Sequence, residues 1–92
     1  MVHTASPVGV NPRNHDDMIV PAVNGCKSVI AAAAKFNVKR IVVTSSVAAI
    51  SCKDPVEDDH VYDESSWTDL QAADFSAYLK SKTLAERALW DF

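Results

Sequence analysis

"VNGCKSVIAAAAKFNVKRIVVTSS", residues 23–46, changes its hydrophobic period partway along. Up to Phe36 the apolar positions keep helical spacing, with Ile19, Val23, Cys26 and Ile30 falling four, three and four apart. Ile41, Val42 and Val43 are instead a continuous β-branched run, as expected of a strand buried on both faces of a parallel sheet. A long helix feeding such a strand is the repeating unit of an α/β protein.

The helix should run from about Asp16 to Phe36. Asp16 and Asp17 meet the positive end of its dipole, and Lys35 meets the negative end. Asn37 suits the position just past the end, because Asn tolerates the left-handed backbone that closes many helices. Pro21 lacks an N–H and should kink this helix or split it into two pieces.

Upstream, "MVHTASP" (1–7) reads as the end of a strand running into a loop, and "VGVNPRN" (8–14) as a turn with Gly9 and Pro12. Downstream, residues 47–74 form a long excursion with short helical turns at most, and a connection of that length is usually functional. From about Asp74 to Phe92 a second helix is expected. Ala77, Ser81, Leu84, Ala85, Ala88, Leu89 and Phe92 define its apolar or small face. Strand, helix, strand, excursion, helix is α/β order, but two strands do not complete a parallel sheet. Residues 1–92 are therefore expected to be part of a domain, with strand edges covered by missing segments or by a partner chain.

Ninety-two residues, 48% of them hydrophobic, allow one domain with a modest core. A net charge of −3 gives no electrostatic footprint for nucleic acid or an anionic membrane. No stretch approaches the roughly 20 apolar residues of a membrane span, and the N-terminal residues lack a signal-peptide pattern. A soluble, cytoplasmic protein is the expectation. Cys26 and Cys52 stand outside any CxxC pair and read as free thiols in a reducing compartment. His3 reads as a structural residue at a strand end, His15 and His60 as exposed, Trp67 and Trp90 as packing residues. Asp54, Glu57, Asp58 and Asp59 lack metal-loop spacing and read as a solvated loop, so no metal is expected.

Chemistry enters with "FSAYLKSKTLAERALWDF" (75–92), where Tyr78 and Lys82 stand one helical turn apart on the same face. A phenol titrating near pH 10 is a sluggish acid at neutral pH. A nearby ammonium favours the phenolate and makes the phenol a better proton donor. Ser46 lies just past the carboxyl end of the "IVVTS" strand, where ligands collect in open α/β sheets, and its hydroxyl could orient a substrate oxygen.

Taken in order, "HTASP", "VPAVNGCKSVIAAAAKFNVKRIVVTSSVAAI", "VYDESSWTDL" and "YLKSKTLAERALWDF" resemble the extended short-chain dehydrogenases/reductases, in particular their dihydroflavonol-reductase-like branch. The resemblance covers nearly the whole chain. It implies part of a Rossmann-like, doubly wound parallel sheet, here a partial NAD(P)-binding domain over residues 1–92. It implies Ser46 as the substrate-orienting serine, Tyr78 as the general acid and Lys82 as its tuner and a ligand of the nicotinamide ribose. Thr4, Ala5 and Ser6 match a loop along the cofactor, and Thr44 and Ser45 flank the nicotinamide. Asn24 matches a helical Asn that links toward the lysine in related enzymes, or is a core Asn bonded to backbone. NADP is the implied cofactor, with NAD as the alternative, and the implied substrate is a small carbonyl compound or alcohol.

The chain departs from that pattern in two ways. With Gly9 and Gly25 as its only glycines, it has no Gly-rich turn to cradle a pyrophosphate, and the region that shapes the substrate pocket is missing. The tyrosine context "DFSAYLKSK" differs from the "NWYCYGK" of cinnamoyl-CoA reductases, which argues against that substrate. Two readings stay open: the central piece of a carbonyl reductase, inactive alone, or a truncated, non-catalytic structural or interaction module.

Overall fold

A computed structural model describes residues 1–9, 12–53 and 59–92. Strand β1 (Val2–His3) pairs in parallel with β2 (Val42–Val43), Val2 opposite Val42 and His3 opposite Val43. The ladder continues past both ends: the Val42 N–H donates to the Met1 carbonyl at 2.9 Å and the Thr44 N–H to that of His3 at 3.0 Å. Helix α1 (Asp16–Lys35) joins the strands, and helix α2 (Ala77–Trp90) follows the excursion.

Helix α1 is a single uninterrupted element that contains Pro21. The two-piece alternative does not hold. The i→i−4 ladder is already running at Ile19, whose N–H donates to the His15 carbonyl at 3.0 Å, so proline costs one bond, that to the Asp17 carbonyl, and the helix carries on through it. The far end closes as expected. Asn37 has φ of 53°, its N–H donates to the Ala34 carbonyl at 3.2 Å, and the Val38 N–H reaches the Ala33 carbonyl at 2.9 Å. That pair of bonds is a Schellman closure.

The helices pack on each other through small side chains. Ala22 and Cys26 of α1 meet Ala85 of α2, with Leu89 against them. The buried positions of α1 are Met18, Ala22, Cys26 and Ala33, whereas Ile19, Val23 and Ile30 are half-buried. The apolar stripe inferred from spacing is therefore rotated from the one that is buried. Ile19 and Val23 line the groove between the helices on one side, and Ile30 lines a cavity on the other. Helix α2 is shorter than expected, and Phe92 lies beyond it, exposed.

Burial of β2 on both faces is not met. Val2 and Val42, partners in register, are 68% and 55% exposed. Among the described residues both helices lie on the other side, where His3 and Val43 line the cavity between sheet and helices, leaving the Val2–Val42 face bare. His15 and His60 are half-buried and not exposed, and the His60 ring meets Tyr62 edge-on at 4.5 Å. Trp67 is held against the Arg87 guanidinium, 5.1 Å from the ring centroid.

The excursion opens with a single 3₁₀ turn at Val47–Ala49, packed on α2. Thr68, fully buried, pins its return. The Thr68 N–H donates to the Ala49 carbonyl at 2.8 Å and its hydroxyl to that of Ala48 at 2.7 Å, while Oγ1 accepts from the Cys52 N–H at 3.1 Å. The chain is thereby returned beside the end of β2 before α2 begins. Thr68→Val keeps the shape and removes both hydroxyl bonds, leaving the buried Ala48 carbonyl and the half-buried Cys52 N–H without these partners. We expect a loss of about 1–3 kcal/mol, read as a lower urea midpoint at unchanged slope in the full-length protein.

Candidate active site

The site starts at a cap. Ser76, in extended conformation, accepts the Leu79 N–H on its Oγ at 3.3 Å and so starts α2 immediately before Tyr78. An ion pair between Lys80 and Asp74 ties the first turn to the segment before it. Lys80 also donates a hydrogen bond to Asp74 and, with its charge, holds the Asp74 carboxyl below the usual carboxylate range. Once the first turn is set, Lys82 follows Tyr78 on the same face. Its Nζ lies 5.8 Å from the centroid of the Tyr78 ring.

Lys82 is only 7% exposed, and among the described residues it forms no ion pair. Its stem is covered, while no side-chain nitrogen among the described residues is both buried and without a hydrogen-bond partner, so the ammonium keeps access to the cavity. It lines a cavity of about 300 Å³ between the sheet and the two helices. Ala5 and Ser6 after β1, and Thr44 and Ser45 after β2, line the same cavity. They lie at the carboxyl ends of parallel strands, where α/β sheets collect ligands.

The sequence-derived assignments divide here. Ala5, Ser6, Thr44, Ser45 and Lys82 converge on the cavity, whereas Thr4, Ser46 and Tyr78 lie outside its lining. Thr4 is exposed. Ser46 caps the 3₁₀ turn, its Oγ accepting the Ala48 N–H at 3.1 Å, which leaves the hydroxyl hydrogen free to turn toward another acceptor. Tyr78 is half-buried and joins the cavity through its contact with Lys82. Asn24 is exposed and lines the outer groove between α1 and α2, away from the Lys82 cavity and outside any core.

Among the further residues that line the cavity and that sequence reasoning did not assign to it are Cys26, Glu86 and Trp90. Trp90 is 76% exposed, so it is not the packing residue expected. Its indole N–H donates to Glu86 Oε1 at 3.3 Å, and the Ser45 hydroxyl donates to Glu86 Oε2. The spacing of Lys82, Glu86 and Trp90, each four after the last, was the available signal. Cys26 Sγ lies 3.9 Å from His3 Nε2. Burial pushes the Cys26 thiol up from its ordinary value, and the Lys82 charge opposes that shift.

Among the described residues no cluster of His, Cys, Asp or Glu could hold a metal ion. Asp54, Glu57 and Asp58, three of the four acids read as a solvated loop, lie outside the described residues. No described helix is long and apolar enough to cross a membrane.

The 3-beta hydroxysteroid dehydrogenase/isomerase family matches the chain over residues 1–91. Cinnamoyl-CoA reductase 2 of Medicago truncatula is 45% identical over 91 residues, which are 97% of this chain and 26% of that protein. The anthocyanidin reductase ((2S)-flavan-3-ol-forming) of Vitis vinifera is 39% identical over 99 residues, 98% of this chain and 29% of that protein. Among solved structures, yeast methylglyoxal/isovaleraldehyde reductase Gre2 complexed with NADPH superposes with a TM-score of 0.82 at 33% identity, covering 99% of this chain and 30% of that one. Gre2 from Candida albicans in complex with NADPH gives 0.81 at 36%, with the same coverage. The two strands and two helices are thus part of a Rossmann-like parallel sheet, and the chain spans under a third of the relatives it matches.

The two thiols should differ in reactivity. Cys52 is half-buried and Cys26 buried with a raised pKa. With iodoacetamide at neutral pH, peptide mass spectrometry should find Cys52 alkylated first. Equal rates in the folded protein would contradict the burial of Cys26.

Proposed function

We propose that this chain, which belongs to the 3-beta hydroxysteroid dehydrogenase/isomerase family, is the central, proton-handling segment of an NADP-dependent reductase that converts a ketone or aldehyde to an alcohol. The observation that carries the reading is Lys82, a residue only 7% exposed whose Nζ lies 5.8 Å from the Tyr78 ring centroid and which lines the cavity at the carboxyl ends of two parallel strands. A lysine packed among the helices with its Nζ beside a tyrosine ring in a cavity, and with no ion pair among the described residues, suits a proton-transfer site better than a solvated helix face.

The residues present fit one end of the cofactor. Ala5, Ser6 and Thr44 offer small side chains around a cavity that contains a cationic donor, which suits a ribose and a nicotinamide ring. Gly9 and Gly25 have nothing within 4 Å of an added Cβ, so neither marks a close backbone approach of the kind that cradles a pyrophosphate. That cradle would come from another part of the protein. The NADPH-bound Gre2 structures support NADP as the cofactor.

NADPH, when bound, supplies the hydride. Tyr78 gives its phenolic proton to the substrate oxygen as that oxygen gains charge, and Lys82 stabilises the negative charge left on the phenol. The Lys82 ammonium also donates to the ribose hydroxyls. Ser46, with its hydroxyl hydrogen uncommitted, donates to the same substrate oxygen and orients it. The bare Val2–Val42 face is covered, in this reading, by further segments of the same protein.

Tyr78→Phe in the full-length protein tests the assignment. Removing the phenolic proton should lower kcat by about 10²- to 10⁴-fold and leave NADPH affinity, measured by fluorescence titration, within about threefold. Turnover at the parent rate would refute Tyr78 as the acid.

A further inference from the structure

We infer that Glu86 is a positioning residue, clasped by Ser45 and Trp90 so that its carboxylate fastens the serine turn to the Tyr78–Lys82 helix while staying off the Lys82 ammonium. The inference rests on the reading of Tyr78 and Lys82 given above, and deepens it.

Glu86 follows Lys82 by one turn of α2, and both line the same cavity. An acid and a base so placed normally pair, and partial burial strengthens the attraction. Among the described residues they form no salt bridge. The carboxylate is engaged elsewhere, and each of its oxygens has its own donor. The Ser45 hydroxyl donates to Oε2 and the Trp90 indole N–H to Oε1 at 3.3 Å. A carboxylate held from two sides cannot swing back over one helical turn to the ammonium without breaking both bonds.

Two consequences follow from the positions of the partners. Lys82 keeps its three N–H donors for the cofactor and its charge for the Tyr78 phenol. Ser45 precedes Ser46 directly, so its bond to Glu86 sets where the substrate-orienting hydroxyl stands relative to α2. The role of Ser45 also changes: its hydroxyl hydrogen is spent on Glu86, and the residue is a clasp more than a nicotinamide neighbour.

The discriminating experiment cuts the clasp and then removes the charge it restrains. In the full-length protein, Ser45→Ala frees the carboxylate to pair with Lys82. NADPH affinity should fall about tenfold, the worth of one charge-assisted hydrogen bond, and kcat should fall with it. Adding Glu86→Gln in the double variant S45A/E86Q removes the competing charge and should return NADPH affinity to within about threefold of the parent. Ser45 is exposed, so the substitution leaves the core intact, and circular dichroism checks that it does. An S45A variant with parental affinity overturns the clasp. So does a double variant no better than S45A, because loss of a simple cofactor contact or of local structure is not rescued by Gln at position 86. Tyr78→Phe, measured alongside, separates the two levels: parental turnover in that variant sinks the catalytic reading, while the clasp is judged on NADPH affinity, which does not depend on the chemical step.

Discussion

A lysine is seldom buried, because its long stem must be covered while its ammonium keeps polar or solvent contact. Lys82 is nonetheless among the most buried polar residues described, and much of the surrounding structure serves to hold it there. The Ser76 cap fixes where α2 begins and therefore the direction in which Lys82 points. Ala22, Cys26 and Ala85 are small enough to let α1 close against α2 beside it. Thr68 returns the long excursion to the end of β2, so that the serine turn and the lysine helix come from distant parts of the chain to one place.

The sheet shows the complementary economy. Two residue pairs in parallel register suffice to bring the ends of β1 and β2 together, and those ends carry Ala5, Ser6, Thr44 and Ser45 into one cavity. The opposite face has no covering layer among the described residues, which leaves Val2 and Val42 in contact with solvent. Valine at these positions is typical of a parallel sheet covered on both sides. The relatives, of which this chain spans under a third, have the additional length such a layer needs.

Much of the fold was legible because it depends on local chemistry. The dipole-matched ends of α1 and the left-handed Asn37 follow from a few neighbouring residues, and each stands where those residues place it. Face assignments depend on what packs against an element, and there spacing was a weaker guide. Ile19 and Val23 are larger and more apolar than Ala22, yet Ala22 is the residue buried, in the small-side-chain cluster it forms with Cys26 and Ala85 between the two helices. Pro21 by type marks a break, but the helix runs through it, losing a single backbone bond. Trp90 looked like a core residue by type, but its ring is exposed and its N–H engages Glu86.

The sequence alone determined the α/β order, the boundaries of the helix before β2, and the placing of Tyr78 and Lys82 on one helical face. All of these follow from backbone geometry over one or two turns. It also brought out the family resemblance, because ordered motifs survive in the chain whatever surrounds them. Only the tertiary structure decided which of the predicted residues share a cavity, that Lys82 is buried with no ion pair among the described residues, and that Glu86 is bonded to Ser45 and Trp90 instead. The Ser45–Glu86 bond joins residues 41 positions apart, and no local periodicity encodes the choice a carboxylate makes between a nearby ammonium and a distant hydroxyl.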